Sequence, residues 1–216
     1  AKTELKNVLG IDIAWLDGDG SRVGGIYAAT DVLSARFNAQ GRTLILTNGM
    51  GPGTPRTYPG ARPYQIASAL GRLSQVMDKN EDVLVLFMTS HGNQDGSIAI
   101  QEQYRTRFGL RPQYLREALD ETGIKNRLVI VSSCFSGAFI PALQNDNTII
   151  LTAAAYDRTS FGCRSDNDWT FFGDALLKDI FFSALAVTIV VVIAAVVVLG
   201  GAGFAITRKK NAKPKA

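Results

Sequence analysis

Two stretches of this chain share one construction: an apolar, β-branched run stops at a small polar turn that holds a single reactive side chain. The first, residues 82–92, reads Asp-Val-Leu-Val-Leu-Phe-Met-Thr-Ser-His-Gly, and the second, residues 127–137, reads Arg-Leu-Val-Ile-Val-Ser-Ser-Cys-Phe-Ser-Gly. Continuous apolar runs of this length, with no polar residue at alternate positions, predict strands buried on both faces, as in a parallel sheet covered by helices. Open sheets of that kind take their ligands at the carboxyl ends of the strands. If the two runs are neighbours, His91 and Cys134 stand together at one rim.

The surrounding pattern agrees with such a sheet. Apolar runs over 8–15, 43–47, 83–88, 128–132 and 148–153 predict strands, and amphipathic stretches over 26–38, 64–78, 112–121 and 137–143 predict helices between them. Residues 49–60, with three prolines and four glycines, predict a loop. No repeat or low-complexity linker interrupts residues 1–179, which are expected to form one catalytic domain.

Charge argues against a nucleic-acid partner. The chain carries a formal +4, but five basic residues (Arg208, Lys209, Lys210, Lys213, Lys215) lie in the last nine positions, and residues 1–179 hold 18 basic against 19 acidic residues. The positive charge therefore belongs to the tail and gives the folded part no basic surface for phosphates.

Between them, residues 180 and 207 bound 28 consecutive positions without a formal charge. A helix needs roughly 20 apolar residues to cross a bilayer core, so 180–207 is expected to be a transmembrane helix and 208–216 a basic cytoplasmic tail. The positive-inside rule then places the catalytic domain outside the cytoplasm; a tail-anchored arrangement with a cytosolic domain is the alternative. The start of the chain shows no positively charged stretch followed by an apolar run, so no secretory signal is expected there.

Only two cysteines occur, Cys134 and Cys163, and neither has the spacing of a metal-ligand cluster. Any imidazole chemistry must use His91, the one histidine. A thiol, with an ordinary pKa near 8.5, becomes an effective nucleophile when an adjacent imidazole takes its proton. A helix starting just after Cys134 would add the positive end of its dipole. The backbone amides of Gly92 and Cys134 suit an oxyanion hole. Taken singly, Cys134 reads equally well as a small buried hydrophobe and His91 as a loop residue; their matched placement at two strand ends favours a dyad.

These motifs, Thr89-Ser90-His91-Gly92 and Ser132-Ser133-Cys134-Phe135-Ser136-Gly137, resemble those of the legumain (asparaginyl endopeptidase) family of cysteine peptidases, and most closely its bacterial members. A third block, residues 151–163 followed by Phe171-Phe172-Gly173-Asp174-Ala175, resembles the stretch that lines the family's primary specificity pocket. The resemblance covers about residues 5–178. It implies a caspase-like α/β fold, a three-layer sandwich around a mostly parallel sheet, and peptide-bond cleavage through a thioester acyl-enzyme with no metal or organic cofactor. By motif, the residues that bind the substrate's P1 side chain fall on Thr159, Ser160 and Asp174. The family's pocket arginine has its nearest counterpart in Arg22. Animal and plant legumains carry an acidic residue two positions before the nucleophile; Ser132 stands there in this chain, a departure that bears on asparagine specificity. Cys163 is expected to be structural.

Three functions fit this pattern: an endopeptidase acting on peptides or proteins, a membrane-bound transamidase using the same dyad, and an inactive membrane-tethered module that kept the fold. The presence of both reactive residues favours the first.

Overall fold

The computed structural model describes residues 8–14, 23–47, 58–101, 107–160 and 171–176. The expected transmembrane run, the basic tail, Arg22 and Cys163 lie outside them. Among the described residues, no helix is long and apolar enough to cross a membrane.

Five parallel strands form the central sheet: β1 (Val8–Ala14), β2 (Thr43–Thr47), β3 (Val83–Thr89), β6 (Asn126–Ser132) and β7 (Thr148–Thr152), in the spatial order β2-β1-β3-β6-β7. The two runs that open the sequence argument, β3 and β6, are adjacent, and their last residues pair in register, Thr89 with Ser132. Two further strands, β4 (Ile98–Gln101) and β5 (Arg107–Leu110), pair antiparallel in a separate ribbon.

Helices α1 (Val23–Arg36), α2 (Pro63–Leu73), α3 (Pro112–Thr122), α4 (Phe139–Leu143) and α5 (Phe171–Asp174) complete the described elements. Both α2 and α3 begin on proline, whose fixed φ suits the first helical position and whose missing N–H costs nothing there. Alternate residues of β3 and β6 then enter two cores. Leu84, Leu86, Met88, Val129 and Val131 pack with Ile66, Leu70, Leu115, Leu119 and Phe139 from α2, α3 and α4. Val85, Phe87, Leu128 and Ile130 pack with Ala29 and Leu33 of α1 and with Phe172 and Leu176 at α5. The sheet is thus the middle of three layers, and residues 83–88 and 128–131 of its central strands are all apolar because both faces are covered. Ile98, Ile100 and Leu110 carry the β4–β5 ribbon into the first core.

The expected strands are all present, with small differences at their ends. Two expected helices are cut shorter. The one placed at 64–78 ends at Leu73, and the one placed at 137–143 divides into a 3₁₀ turn, Ser136–Ala138, followed by the five residues of α4. Such a short helix gives Cys134 less dipole than a continuous one would, since the dipole sums over aligned peptides.

Candidate active site

His91 and Cys134 each follow a strand end by two residues, and because Thr89 pairs with Ser132 the two side chains leave the same rim of the sheet. The turns that carry them are also joined directly. Ser90 donates its backbone N–H to the Ser132 carbonyl at 3.3 Å, which carries the β3–β6 pairing one step past the strands.

The β4–β5 ribbon holds the His91 turn from its other side. Gly92 and Ile98 form an isolated antiparallel bridge, flanked by hydrogen bonds from Ala99 N to the His91 carbonyl (2.8 Å) and from Asn93 N to the Ser97 carbonyl (2.9 Å). Ser90 Oγ donates to the Ala99 carbonyl at 2.6 Å. Gly92 and Ile98 therefore make a non-hydrogen-bonded pair, in which the Gly92 N–H points away from Ile98. The other side of Gly92 lies against Cys134. A Cβ added at position 92 would collide with the Cys134 carbonyl oxygen and lie 2.6 Å from the carbonyl carbon. Only glycine fits there.

Beyond β6 the chain makes a tight turn. Phe135 takes a left-handed conformation (φ 56), rare for a residue with a side chain, and the 3₁₀ turn follows at once. The segment after β7 wraps this turn: Phe135 N donates to the Arg158 carbonyl at 2.8 Å and Gly137 N to the Ala154 carbonyl at 2.8 Å. Gly137 is in such close contact that an added Cβ would lie 2.5 Å from Tyr156 N.

The same segment reaches the half-buried thiol. Ser160 donates its backbone N–H to Cys134 Sγ at 3.3 Å, and its hydroxyl oxygen lies 3.6 Å from the sulfur. Among the described residues, the sulfur's hydrogen-bond partners all belong to Ser160. His91 is not one of them; catalytic hydrogen bonds are often unmade before substrate binds. Thr159, next to Ser160, is exposed, and Asp174 is half-buried in α5. Of the residues expected to bind substrate, Ser160 is therefore brought to the Cys134 sulfur itself, while Arg22 lies outside the described residues. No group of three or more His, Cys, Asp and Glu side chains could hold a metal ion among the described residues.

Three supporting features escaped the sequence: the β4–β5 ribbon, the Ser90 tie to Ala99, and the hydrogen bonds of Ser136 to Ala154. Their only advance signal was the short alternation around Ile98 and Ile100, too brief to separate a strand from a loop.

The Peptidase C13 family profile matches residues 65–184, a span that contains both strand-end turns and stops inside the long uncharged run. The crystal structure of caspase-1 from Spodoptera frugiperda is similar, with 16% sequence identity, a TM-score of 0.53, and coverage of 82% of this chain and 69% of that one. A structure described as pro-sf-caspase-1 aligns over 97% of this chain and 88% of its own, at 14% identity and a TM-score of 0.49. Among curated proteins, none matches the chain.

Proposed function

This chain belongs to the Peptidase C13 family, the legumain family, and is a cysteine-type peptidase of caspase-like fold; from that premise we propose that Cys134 is its nucleophile and His91 its base. The observation that carries the reading is the register of β3 with β6, which gives the two residues matched positions at one sheet rim.

In this reading, His91 takes the proton of Cys134 and the sulfur attacks the scissile carbonyl carbon. A C–S bond forms, and the carbonyl electron pair moves onto oxygen. The N–H groups of Gly92 and Cys134 receive that oxyanion; the direction of the Gly92 N–H, away from the β4–β5 ribbon, favours the assignment. When the tetrahedral intermediate collapses, the C–N bond breaks and the imidazolium gives its proton to the leaving amine. Water, deprotonated by His91, then attacks the thioester and releases the carboxylate product and the thiol. Thr159, Ser160 and Asp174, with Arg22, would bind the P1 side chain.

The apolar run 180–207 and the basic residues behind it support a single membrane span, with the tail cytoplasmic and the peptidase domain on the other side. Protease protection of the tail in sealed vesicles, with the domain digested, is the result that bears this out.

The decisive experiment profiles a peptide library with the full chain beside Cys134→Ala and His91→Ala. Each variant is expected to lose at least about 10³-fold in kcat/KM. Cleavage that persists in Cys134→Ala overturns the assignment. An added nucleophilic amine distinguishes hydrolysis from transamidation through the products.

A further inference from the structure

The nucleophile turn is a closed loop, and one buried hydroxyl helps close it. The last regular tie between β6 and the strand beside it runs from Ala153 N to the Val131 carbonyl, at 3.0 Å. From there the chain swings out through Ser132, Ser133, Cys134 and Phe135, and it returns to the β7 extension at Ala154. Two residues make that return contact. Gly137 N donates to the Ala154 carbonyl, and Ser136 Oγ both accepts from Ala154 N at 3.0 Å and donates to the Ala154 carbonyl at 3.3 Å.

Ser136 is fully buried, with 0% of its surface exposed. Its hydroxyl uses its donor and an acceptor position on one backbone residue, and so acts as a substitute for the strand pairing that the turn interrupts. Cys134 lies between the two ties, one residue ahead of the left-handed Phe135. A strained residue holds its conformation only while its surroundings fix it, and here the fixing bonds are those at Ser136, Gly137 and Arg158. Ala154 also begins the segment that ends at Ser160, the residue touching the sulfur. The tie at Ser136 therefore sets the nucleophile turn and its covering segment relative to each other.

We propose that Ser136 is a positioning residue for catalysis: its hydroxyl, bonded to Ala154, aims Cys134 at the scissile carbonyl. This rests on the reading of Cys134 as the nucleophile. Losing the tie leaves the buried fold almost unchanged in volume but frees the turn to relax, and displacements of about 1 Å at a reacting atom can cost 10²-fold in rate.

The test compares the full chain with Ser136→Ala and Cys134→Ala, measuring kcat and KM on a fluorogenic peptide and hydrogen exchange at the Ala154 amide. Turnover is normalised to the folded fraction from thermal melts. Ser136→Ala is expected to lower kcat by about 10- to 100-fold, with KM within about 3-fold of the parent, and to lose protection at Ala154. Unchanged kcat, or a loss of kcat with Ala154 still protected, overturns the proposal. So does a fall in activity that matches the unfolded fraction. If Cys134→Ala retains cleavage, the reading of the nucleophile fails instead, and that result is separate from any result at position 136.

Discussion

Gly92 and the carbonyl of Cys134 lie in van der Waals contact with no room for a methyl group between them: a Cβ on Gly92 would lie 2.6 Å from the Cys134 carbonyl carbon and 3.1 Å from its Cα. Backbone forms this contact on the Cys134 side, so no flexible side chain can move to relieve it. Gly92→Ala must therefore push the His91 turn away from the Cys134 turn. Overpacking of this kind costs about 1–3 kcal/mol of stability, and the displacement should reduce kcat/KM by about 10²-fold or more. Kinetics and a thermal melt on the same preparation check both effects. A variant that keeps half its activity would show that the two turns are not held in this contact.

The sheet was readable in advance because burial on both faces leaves little choice of residue: residues 83–88 of β3 and 128–131 of β6 are all apolar, and these runs stop at the change to Ser, His, Gly and Cys. A shared rim for His91 and Cys134 followed from that pattern on the condition that the two strands are neighbours, an adjacency that the pairing of β3 with β6 supplies. The bonds that aim the site did not. Ser136 and Ser90 act through backbone groups 18 and 9 positions away, and Ser160 through its own N–H on the Cys134 sulfur 26 positions away; a serine in a polar turn looks the same whether it meets water or a distant partner. The β4–β5 ribbon was hidden for a different reason, since four-residue strands offer too few alternations to reveal a period. Gly92 was expected to offer its backbone amide to an oxyanion hole; its packing against Cys134 supplies a separate, structural demand for glycine.

Ser133, the residue just before Cys134, is 2% exposed, and its Oγ has no hydrogen-bond partner among the described residues. An unpaired buried hydroxyl has lost water without compensation. Ser133→Ala should consequently raise stability by about 0.5–1 kcal/mol while leaving peptide turnover close to that of the parent. Urea unfolding curves measure the gain. A loss of more than about 1 kcal/mol would mean that the hydroxyl is bonded after all.

At the far end of β6, Arg127 performs a purely structural task. Its side chain is 8% exposed, and its guanidinium donates to the Ile124 carbonyl (2.7 Å), the Leu119 carbonyl (2.9 Å) and the Asp120 carboxylate (3.0 Å). Two of these acceptors, Leu119 and Asp120, belong to the last turn of α3, so one planar side chain holds that turn to the strand. Arg127→Met should cost about 1–3 kcal/mol, because the Ile124 carbonyl loses this donor and the Leu119 carbonyl keeps only the Thr122 hydroxyl. Arg127→Lys should recover little of this, since an ammonium group cannot reproduce the spread of the guanidinium donors. With Cys134 at the opposite end of the strand, activity per folded molecule should be unaffected. Chemical denaturation with an active-site titration separates the two quantities.

Asp95 gives the His91 turn a dependence on acid. Its carboxylate accepts from Ser97 Oγ at 2.6 Å and from Ser97 N at 3.0 Å. The hydroxyl of Ser97, then its N–H, hold the Asp95 carboxyl below the ordinary carboxylate value against an opposing effect of burial, and the charge of Arg111 adds a weaker pull in the same direction. A group whose pKa is lower in the folded state binds fewer protons there than in the unfolded chain. Its contribution is therefore complete above the unfolded value and is lost as pH falls through the folded one. Because Asp95 is exposed, that contribution should be under about 1 kcal/mol. Ser97 precedes Ile98, the partner of Gly92, so protonation of Asp95 should loosen the support of the His91 turn. In unfolding curves from pH 6 down to pH 3, the stability advantage of the parent over Asp95→Asn should shrink as pH falls. An advantage that stays constant across this range would show that the ionised carboxylate is not what stabilises the turn.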